Sequence, residues 1–463
     1  MSPTDLSAPH FVAIGGVGMS GVAKILARRG SAVSGSDAKA SATVDALRLL
    51  GVEVSIGHAA EHLPVGASCV VVSSAIRDTN PELVAALERG LPVLHRADAL
   101  AALMREHRGL AVAGTHGKTT TTSMLAVSLT ALGLDPSYSI GGDLDEPGSN
   151  AHHGSGEIFV AEADESDRSF QKYSPEVAII LNVELDHHAN YASMAEVHES
   201  FEAFVDRITP GGTLVVSADH PGARELTARV ADRPGLNTVT VGEAADATLR
   251  ILRITPHGLS SEVTVLVDGA ELTFTVAVPG RHNAGNAVAA LAAGIALGVP
   301  AAELAEALGA YRGVRRRLQL KGEAQGVQVI DCYAHHPTEI SADLDAIREA
   351  AGDGRVLVVF QPHLFSRTQQ LGAEMGEALA PADAVIVLDI YPAREDPLPG
   401  ITSDLVIDAA RAHGADTTPA HSLAEVPDLV AGMAKPGDFV LTMGAGDVTS
   451  LGPEILARLA QLG

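Results

Sequence analysis

The order of apolar and polar positions along the chain predicts three successive α/β units. Short apolar runs typical of buried strands alternate with longer amphipathic segments typical of helices, which favours mostly parallel sheets. The pattern restarts twice, after the polar stretch 104–109 and after the arginine cluster 315–317. We therefore predict three domains, of which the first and third are Rossmann-like, at residues 1–107, 108–313 and 314–463.

The middle unit departs from this alternation before its long alanine-rich segment. Three β-rich segments, LRILRITPHGL, SEVTVLVDG and ELTFTVAVPG, follow one another between Leu249 and Gly280. They predict a small β-meander that is added to the mostly parallel sheet of the central domain.

Composition narrows the classes of function. The chain has 463 residues with a formal net charge of -25, which argues against a nucleic-acid partner. Its 2 cysteines are too few for a disulfide framework and suit a reducing compartment. The uncharged run 287–302 is shorter than the roughly 20 residues of a spanning helix, and no basic head precedes the first apolar run. We therefore predict no membrane insertion and a cytoplasmic location; the oligomeric state stays unknown.

A glycine motif follows the first predicted strand. Residues 16–21, GVGMSG, fit G-x-G-x-x-G at the start of a helical segment, and Asp37 closes the next strand. The glycines let the backbone approach a pyrophosphate, the helix N-terminus attracts it, and the acid can meet a ribose. These residues leave open whether the pyrophosphate belongs to NAD, FAD or a UDP-sugar.

A second loop combines glycines with a lysine. Residues 111–124 read AVAGTHGKTTTTSM, in which the usual spacing G-x-x-x-x-G-K-[ST] is broken because Val112 stands where the first glycine is expected. The shorter G-x-x-G-K-T form still places backbone N–H groups, a lysine and hydroxyls at a helix entry. It predicts a phosphate cradle, although a helix entry capped by threonine is the alternative.

Acids and histidines follow the next two predicted strands. Glu162 and Asp164 end one strand, and His187 follows the other. If both strands lie beside the strand of the lysine loop, their carboxyl ends converge on one crevice, where these side chains could hold the metal of a nucleotide.

Further polar clusters lie towards the C-terminus. Asn283 and Asn286 lie three residues apart on the alanine-rich helical segment, where an amide could meet an adenine edge or cap the helix. The runs DCYAHHP (331–337) and QPHLFSRT (361–368) each end a predicted strand, and their His, Tyr and Arg residues suggest an anion and amine site.

In this order the motifs resemble one family over essentially the whole chain. GGVGMSG, AGTHGKTTT, AEADESD, NVELDHH, HNAGNAVAA, DCYAHHPTE, QPHLFSRT and MGAGD together resemble the Mur ligases. The G-T-H-G-K-T loop and the D-x-Y-A-H-H-P run are specific in combination, whereas the first glycine motif alone is not.

The resemblance implies an ATP-dependent amide synthesis in peptidoglycan precursor formation, with ATP and Mg²⁺ (or Mn²⁺) as cofactors. The lactyl carboxylate of UDP-N-acetylmuramate would attack the γ-phosphate to give an acyl phosphate, and the amine of L-alanine would then displace phosphate. The N-terminal domain would hold the nucleotide sugar, the central domain ATP, and the C-terminal domain the amino acid.

The resemblance also assigns roles residue by residue. The implied catalytic residues are Lys118, Glu162, His187, His335 and Arg367. The implied ATP contacts are Gly114, Thr115, His116, Gly117, Lys118, Thr119, Thr120, Asn283, Asn286, Arg317 and Asp331. The implied metal ligands are Thr119, Glu162 and His187. The implied contacts of the UDP-sugar are Gly16, Val17, Gly18, Met19, Ser20, Asp37, Ser73 and Ser74. The implied amino-acid pocket contains Tyr333, His335 and Arg367.

This chain departs from the family pattern at two positions. Leu364 stands where many members carry an arginine near the amino acid, and Cys332 stands where an aspartate is common. The motifs have three rival interpretations: a nicotinamide-dependent oxidoreductase on the glycine motif, a regulatory NTPase, and the related recycling ligase that adds a preformed tripeptide. The oxidoreductase leaves the lysine loop unexplained, and the recycling enzyme reads E-Y-D where this chain has residues 165–167, ESD.

Overall fold

A computed structural model describes residues 4–144, 149–186, 190–393 and 395–461. The chain divides into two compact units, one of residues 1–253, 264–274 and 285–311 and one of residues 254–263, 275–284 and 312–463. Among the described residues, no helix is both long and apolar enough to cross a membrane.

The first sheet has five strands in the order β3-β2-β1-β4-β5, and every neighbouring pair is parallel. The order changes direction between β1 and β4, and ligands of open α/β sheets bind at such a switch point. The strands are β1 (Pro9–Val12), β2 (Ser34–Asp37), β3 (Glu53–Ile56), β4 (Cys69–Val72) and β5 (Val93–His95). The helices are α1 (Val17–Arg28), α2 (Ala42–Leu49), α3 (Pro81–Glu88) and α4 (Arg96–Met104).

The second sheet has ten strands in the order β15-β14-β13-β12-β11-β10-β6-β9-β7-β8. Its middle strands β9, β6, β10, β11, β12 and β13 pair in parallel. The strands are β6 (Arg108–Ala113), β7 (Ser137–Ser139), β8 (Ala151–His152), β9 (Ile158–Glu162), β10 (Val177–Ile180), β11 (Thr213–Ser217), β12 (Asn237–Gly242), β13 (Leu249–His257), β14 (Ser260–Val267) and β15 (Ala270–Val276). The helices are α5 (Lys118–Ala131), α6 (Met194–Val205), α7 (Pro221–Val230), α8 (Arg281–Ala296) and α9 (Ala301–Leu308).

The third sheet has six strands in the order β16-β17-β21-β18-β19-β20 and is parallel except for the β16–β17 pair. The strands are β16 (Gln319–Ala324), β17 (Val327–Cys332), β18 (Val356–Phe360), β19 (Ala384–Leu388), β20 (Thr417–Ala420) and β21 (Phe439–Met443). The helices are α10 (Pro337–Ala351), α11 (Phe365–Leu379), α12 (Asp404–Ala412), α13 (Val426–Met433) and α14 (Leu451–Ala460).

The sequence pattern explains these elements. The apolar runs predicted as strands form the fully buried strands β10 and β18, and β6 is buried except at Arg108, as expected of parallel strands covered on both faces. The three β-rich segments predicted as a meander form the neighbouring strands β13, β14 and β15. The polar run TTTTS fits inside the buried helix α5 because the hydroxyls of Thr121, Thr122 and Ser123 donate to carbonyls one turn earlier, for example Thr122 to Lys118 at 2.8 Å.

Candidate active site

The lysine loop is a tight turn between β6 and α5. Its two glycines have positive φ, +132° at Gly114 and +85° at Gly117, a region that favours residues without a Cβ. A Cβ added at Gly117 would lie 2.8 Å from Oδ1 of Asn286, and one added at Gly114 would lie 3.1 Å from the backbone nitrogen of Leu181. Both glycines therefore pack closely against neighbouring segments, and their left-handed turns at a helix entry fit the predicted phosphate cradle. Asn286 is thereby placed beside it.

Asn182, which sequence reasoning did not select, fixes the shape of this loop. Its side-chain oxygen accepts from the backbone N–H of His116 at 2.7 Å, and its amide donates to the His116 carbonyl at 3.0 Å. The backbone N–H of Glu184 donates to the Thr115 hydroxyl at 2.9 Å. Because β6 and β10 are parallel neighbours, the segment after β10 lies beside the loop after β6.

Lys118 turns its ammonium group into its own loop. Nζ donates to the carbonyls of Gly114 at 2.6 Å and Thr115 at 3.1 Å, and it pairs with Glu165 at 2.8 Å. Burial alone would lower the pKa of Lys118, but Glu165 and Asp164 more than offset it, so the pKa lies above its ordinary value. The lysine is therefore a fixed, buried cation within its own glycine loop.

Thr119 and Glu162 form a set of oxygen donors next to the lysine. The Thr119 hydroxyl donates to Oε1 of Glu162 at 3.0 Å, and the backbone N–H of Gly141 donates to Oε2 at 2.6 Å. A Cβ at Gly141 would lie 2.5 Å from the Glu162 carboxylate, so this close approach requires glycine. A hydroxyl and a carboxylate are ligands that Mg²⁺ or Mn²⁺ accepts, so the donor set fits such an ion.

Two other residues predicted near the metal have different outcomes. Asp164 lies two residues beyond Glu162 and pairs with Arg96 at 2.7 Å. His187 lies outside the described residues, so its predicted role as a metal ligand remains a prediction.

A cavity of about 330 Å³ joins the glycine motif to these acids. It is lined by Gly16, Val17, Gly18, Met19 and Ser73 of the predicted UDP-sugar set, and also by Arg96, Glu162 and Asp164. The residues predicted for the nucleotide sugar and the carboxylate predicted for the metal thus share one space. This position is the switch point of the first sheet, beyond the carboxyl ends of β1 and β4.

The remaining residues predicted for the UDP-sugar do not line this cavity. Asp37 accepts from the backbone N–H of Gly15 at 2.8 Å, which holds it beside the glycine motif. Ser20 is buried, and its hydroxyl donates to the Val17 carbonyl at 3.1 Å. Ser74 hydrogen-bonds to Asp167 and lies 3.2 Å from Nε2 of His95.

In the other unit, Asp331 lies at the end of β17 and is fully buried. Its two carboxylate oxygens accept from the hydroxyls of Thr442 at 2.8 Å and Thr449 at 2.5 Å. These bonds tie β17 to β21 and the segment that follows it, and the predicted contact of Asp331 with ATP remains a prediction.

Asn283 is also buried, and its amide donates to the Pro279 carbonyl at 2.7 Å.

Tyr333 and His335 follow β17, and Arg317, which precedes β16, lies beside them. Arg317 stacks over the Tyr333 ring at 5.0 Å and approaches Glu339 at 3.6 Å. His335 places Nδ1 2.9 Å from the Tyr333 carbonyl and 3.3 Å from Glu339. Arg316, which was not selected from the sequence, also stacks on the Tyr333 ring, at 4.8 Å. It donates to the Gly444 carbonyl at 2.6 Å.

The second histidine run approaches this cluster. The rings of His335 and His363 are 6.0 Å apart, and the positive charge of Arg367 acts on His335. The departure Leu364 has φ +71°, which is unusual for a bulky residue, and its N–H donates to the Tyr391 carbonyl at 2.9 Å. Arg367 therefore lies close enough to His335 to act on its charge. Arg367, Tyr333 and His335 are the three residues predicted to form the amino-acid pocket.

Three family profiles match consecutive parts of the chain. "Mur ligase family, catalytic domain" matches residues 9–108, "Mur ligase middle domain" residues 112–294, and "Mur ligase, glutamate ligase domain" residues 316–446. The chain belongs to the Mur ligase family. The resemblance drawn from the sequence motifs is therefore confirmed.

Relatives within the Mur ligase family match the chain over its whole length. A UDP-N-acetylmuramate–L-alanine ligase of Streptomyces coelicolor is 73% identical over 459 residues, which cover 99% of each chain. The crystal structure of a UDP-N-acetylmuramate–alanine ligase of Thermotoga maritima is 30% identical, covers 98% of this chain and 100% of its own, and has a TM-score of 0.82. A murein peptide ligase of Psychrobacter arcticus shares the fold at 24% identity and a TM-score of 0.69, with 98% of each chain covered. The predicted three-domain α/β fold with mostly parallel sheets is confirmed, whereas its exact domain bounds remain predictions.

We expect the His335 ring of this Mur ligase to stay neutral at pH values well below the usual pKa of histidine, 6.5. Burial, assisted by Arg367, lowers its pKa from 6.5 to about 4 against the opposing effect of Glu339. Because the folded state favours the neutral ring, its contribution to stability is complete above pH 6.5 and is lost as the pH falls towards 4. An NMR titration of the histidine rings checks this, with His335→Gln used to assign the signal. A His335 signal that titrates near 6.5 would contradict the burial argument.

Proposed function

We propose that the protein joins L-alanine to the lactyl carboxylate of UDP-N-acetylmuramate at the expense of ATP. The single observation that carries this proposal is the shared cavity, in which the glycine motif at Gly16–Gly18 and the Glu162 carboxylate face one another. Glu162 in turn contacts Thr119 of the lysine loop. A nucleotide sugar on one wall and a phosphate donor on the other would meet there, as activation of a carboxylate requires.

The names of the relatives support the choice of substrates. The Streptomyces coelicolor and Thermotoga maritima enzymes are both named as ligases of UDP-N-acetylmuramate and alanine, and both span this chain almost completely. The activity is the one that the sequence motifs led us to expect.

The residues of the lysine loop suit phosphoryl transfer from ATP, on which Mur ligases depend. The backbone of residues 114–117 would cradle the phosphates, and the buried Lys118 ammonium would neutralise charge that develops on the transferred group. Thr119 and Glu162 would hold Mg²⁺ or Mn²⁺, which supplies further neutralisation of the phosphate oxygens. Asn286, next to Gly117, would lie at the nucleotide.

The amino-acid step would use the cluster of Tyr333, His335 and Arg367. A carboxylate is a poor electrophile, so its oxygen must leave as phosphate when the amine of alanine attacks the acyl phosphate. Arg367 would pair with the alanine carboxylate. His335, with its pKa lowered to about 4, is neutral at physiological pH, so it adds no positive charge that would repel the incoming ammonium.

Phosphate release in the presence of single amino acids tests the proposal. The protein is incubated with ATP, Mg²⁺ and UDP-N-acetylmuramate, together with L-alanine, glycine, D-glutamate or the tripeptide of the recycling reaction. We expect release to require the nucleotide sugar and to be fastest with L-alanine. Release that needs no amino acid would identify an NTPase, and preference for the tripeptide would identify the recycling ligase. A change in NADH fluorescence on titration would favour the oxidoreductase.

A further inference from the structure

Arg96 is the cationic side chain among the described residues that line the shared cavity. It is the first residue of α4, and its side chain is only 17% exposed. A capping box fixes this helix start, since the His95 ring accepts from Ala97 and Asp98 accepts from the His95 backbone. The backbone from which the Arg96 side chain extends is therefore fixed by local structure.

The Arg96 side chain connects the two walls of the cavity. Its NH2 group donates to Oδ2 of Asp164 at 2.7 Å on the acidic wall. On the glycine wall it lies so near the backbone that a Cβ added at Gly18 would be 3.1 Å from its NH1. The middle glycine of the motif thus makes room for this side chain.

The negative charge of the cavity favours a cation beside an anionic substrate. Glu162 and Asp164 both line the space and would repel a carboxylate that approaches a phosphate. One guanidinium carries five N–H donors, and the bond to Asp164 uses only part of them.

We propose that Arg96 binds the lactyl carboxylate of the nucleotide sugar and holds one of its oxygens while the other faces the phosphate donor. This inference rests on the proposed function. The diphosphate of the nucleotide is served by the backbone N–H groups at the start of α1, in the manner usual for glycine motifs. Arg96 instead pairs with Asp164, which lies two residues from Glu162 on the wall where the phosphate would be transferred.

Binding measurements without ATP distinguish a contact with the lactyl carboxylate from a contact with the diphosphate. The affinities of UDP-N-acetylmuramate and of UDP-N-acetylglucosamine, which lacks the lactyl carboxylate, are measured by calorimetry for the wild type and for Arg96→Gln. We expect the first affinity to fall about 10- to 100-fold, as for loss of a charge-assisted hydrogen bond, and the second to change less than about twofold. Arg48→Gln is the matched control, because Arg48 pairs with Asp45 at the surface outside this cavity.

The outcomes distinguish this inference from the proposed function. A wild-type protein that binds neither nucleotide sugar would overturn the proposed function. An equal loss of both affinities in Arg96→Gln would mean that Arg96 holds the diphosphate, and an unchanged pair of affinities would also overturn the inference.

A second variant tests whether Arg96 binds the lactyl carboxylate if a thermal melt shows that Arg96→Gln does not fold. Asp164→Asn removes the competing carboxylate and should strengthen UDP-N-acetylmuramate binding relative to UDP-N-acetylglucosamine. An unchanged or lower ratio of the two affinities would overturn the inference.

Discussion

Lys118→Met should lower the rate of ATP-dependent phosphate release by about 10³-fold or more, because it removes the cation that neutralises the transferred phosphate. The structure supplies the physical reason. The ammonium group is buried and is held at the mouth of its own glycine loop by the carbonyls of Gly114 and Thr115. The side chain is therefore already positioned at the loop, where a phosphate oxygen would replace one of the three partners of the ammonium group. A coupled assay of phosphate release with all three substrates measures the effect.

The same substitution should also cost stability. The Glu165 carboxylate that pairs with Lys118 has a side chain only 3% exposed, and removal of one member of a buried pair costs about 3–5 kcal/mol. The double variant Lys118→Met/Glu165→Gln should recover most of this free energy of unfolding while remaining inactive. Urea denaturation of both variants separates the two effects.

Lys172→Met is the matched control for this experiment. Lys172 belongs to the same unit and pairs with Asp98 at 2.7 Å, but its side chain is 39% exposed. A surface pair contributes at most about 1 kcal/mol, so activity and stability should change little. If Lys118→Met kept a rate near that of Lys172→Met, the lysine loop would have no part in the reaction.

The sequence could predict features that depend on local spacing. The two positive-φ glycines of the lysine loop and the helix that follows them are encoded within residues 114–124, so the motif alone indicated a cradle. The position of Glu162 at the end of an apolar run placed it at the carboxyl edge of a parallel sheet. Because β6 and β9 pair in parallel, that edge is shared with the lysine loop.

Features that depend on distant contacts could not be predicted in this way. Asn182 and Glu165 contact the loop across long stretches of chain, and neither belongs to a spacing that names its partner. Arg96 lies in an ordinary helix start, and only the fold brings it across Gly18 to Asp164. The sequence indicates that a buried lysine needs an acidic partner. It does not indicate which of the nearby acids, Glu162, Asp164 or Glu165, pairs with Lys118.

Asp331, for which the family resemblance implies a contact with ATP, is held by distant contacts as well. It ends a strand beside a Tyr-His cluster, which is typical of a functional position. In the structure it is fully buried, and its two carboxylate oxygens accept hydrogen bonds from two threonine hydroxyls. Those threonines follow 111 and 118 residues later in the chain, so no local pattern reveals them.

Glu162→Gln should lower phosphate release by at least about 10²-fold and raise the Mg²⁺ concentration needed for half-maximal rate, since an amide is a much poorer ligand than a carboxylate. The substitution keeps the shape of the side chain. An amide oxygen can still accept from Thr119 or from Gly141, so the local backbone should be retained. The loss would then report the missing charge and not a collapsed site. Titration of Mg²⁺ and of Mn²⁺ at saturating ATP measures both parameters.

Glu157→Gln is the control for this last prediction, because Glu157 precedes the same strand at its opposite end and is exposed. Its rate and metal requirement should match those of the wild type. If Glu162→Gln kept a normal metal requirement but lost affinity for UDP-N-acetylmuramate, Glu162 would act on the nucleotide sugar across the shared cavity and not on the metal. The two possibilities differ because Glu162 faces both the Thr119 hydroxyl and the cavity, and only the metal titration separates those two directions.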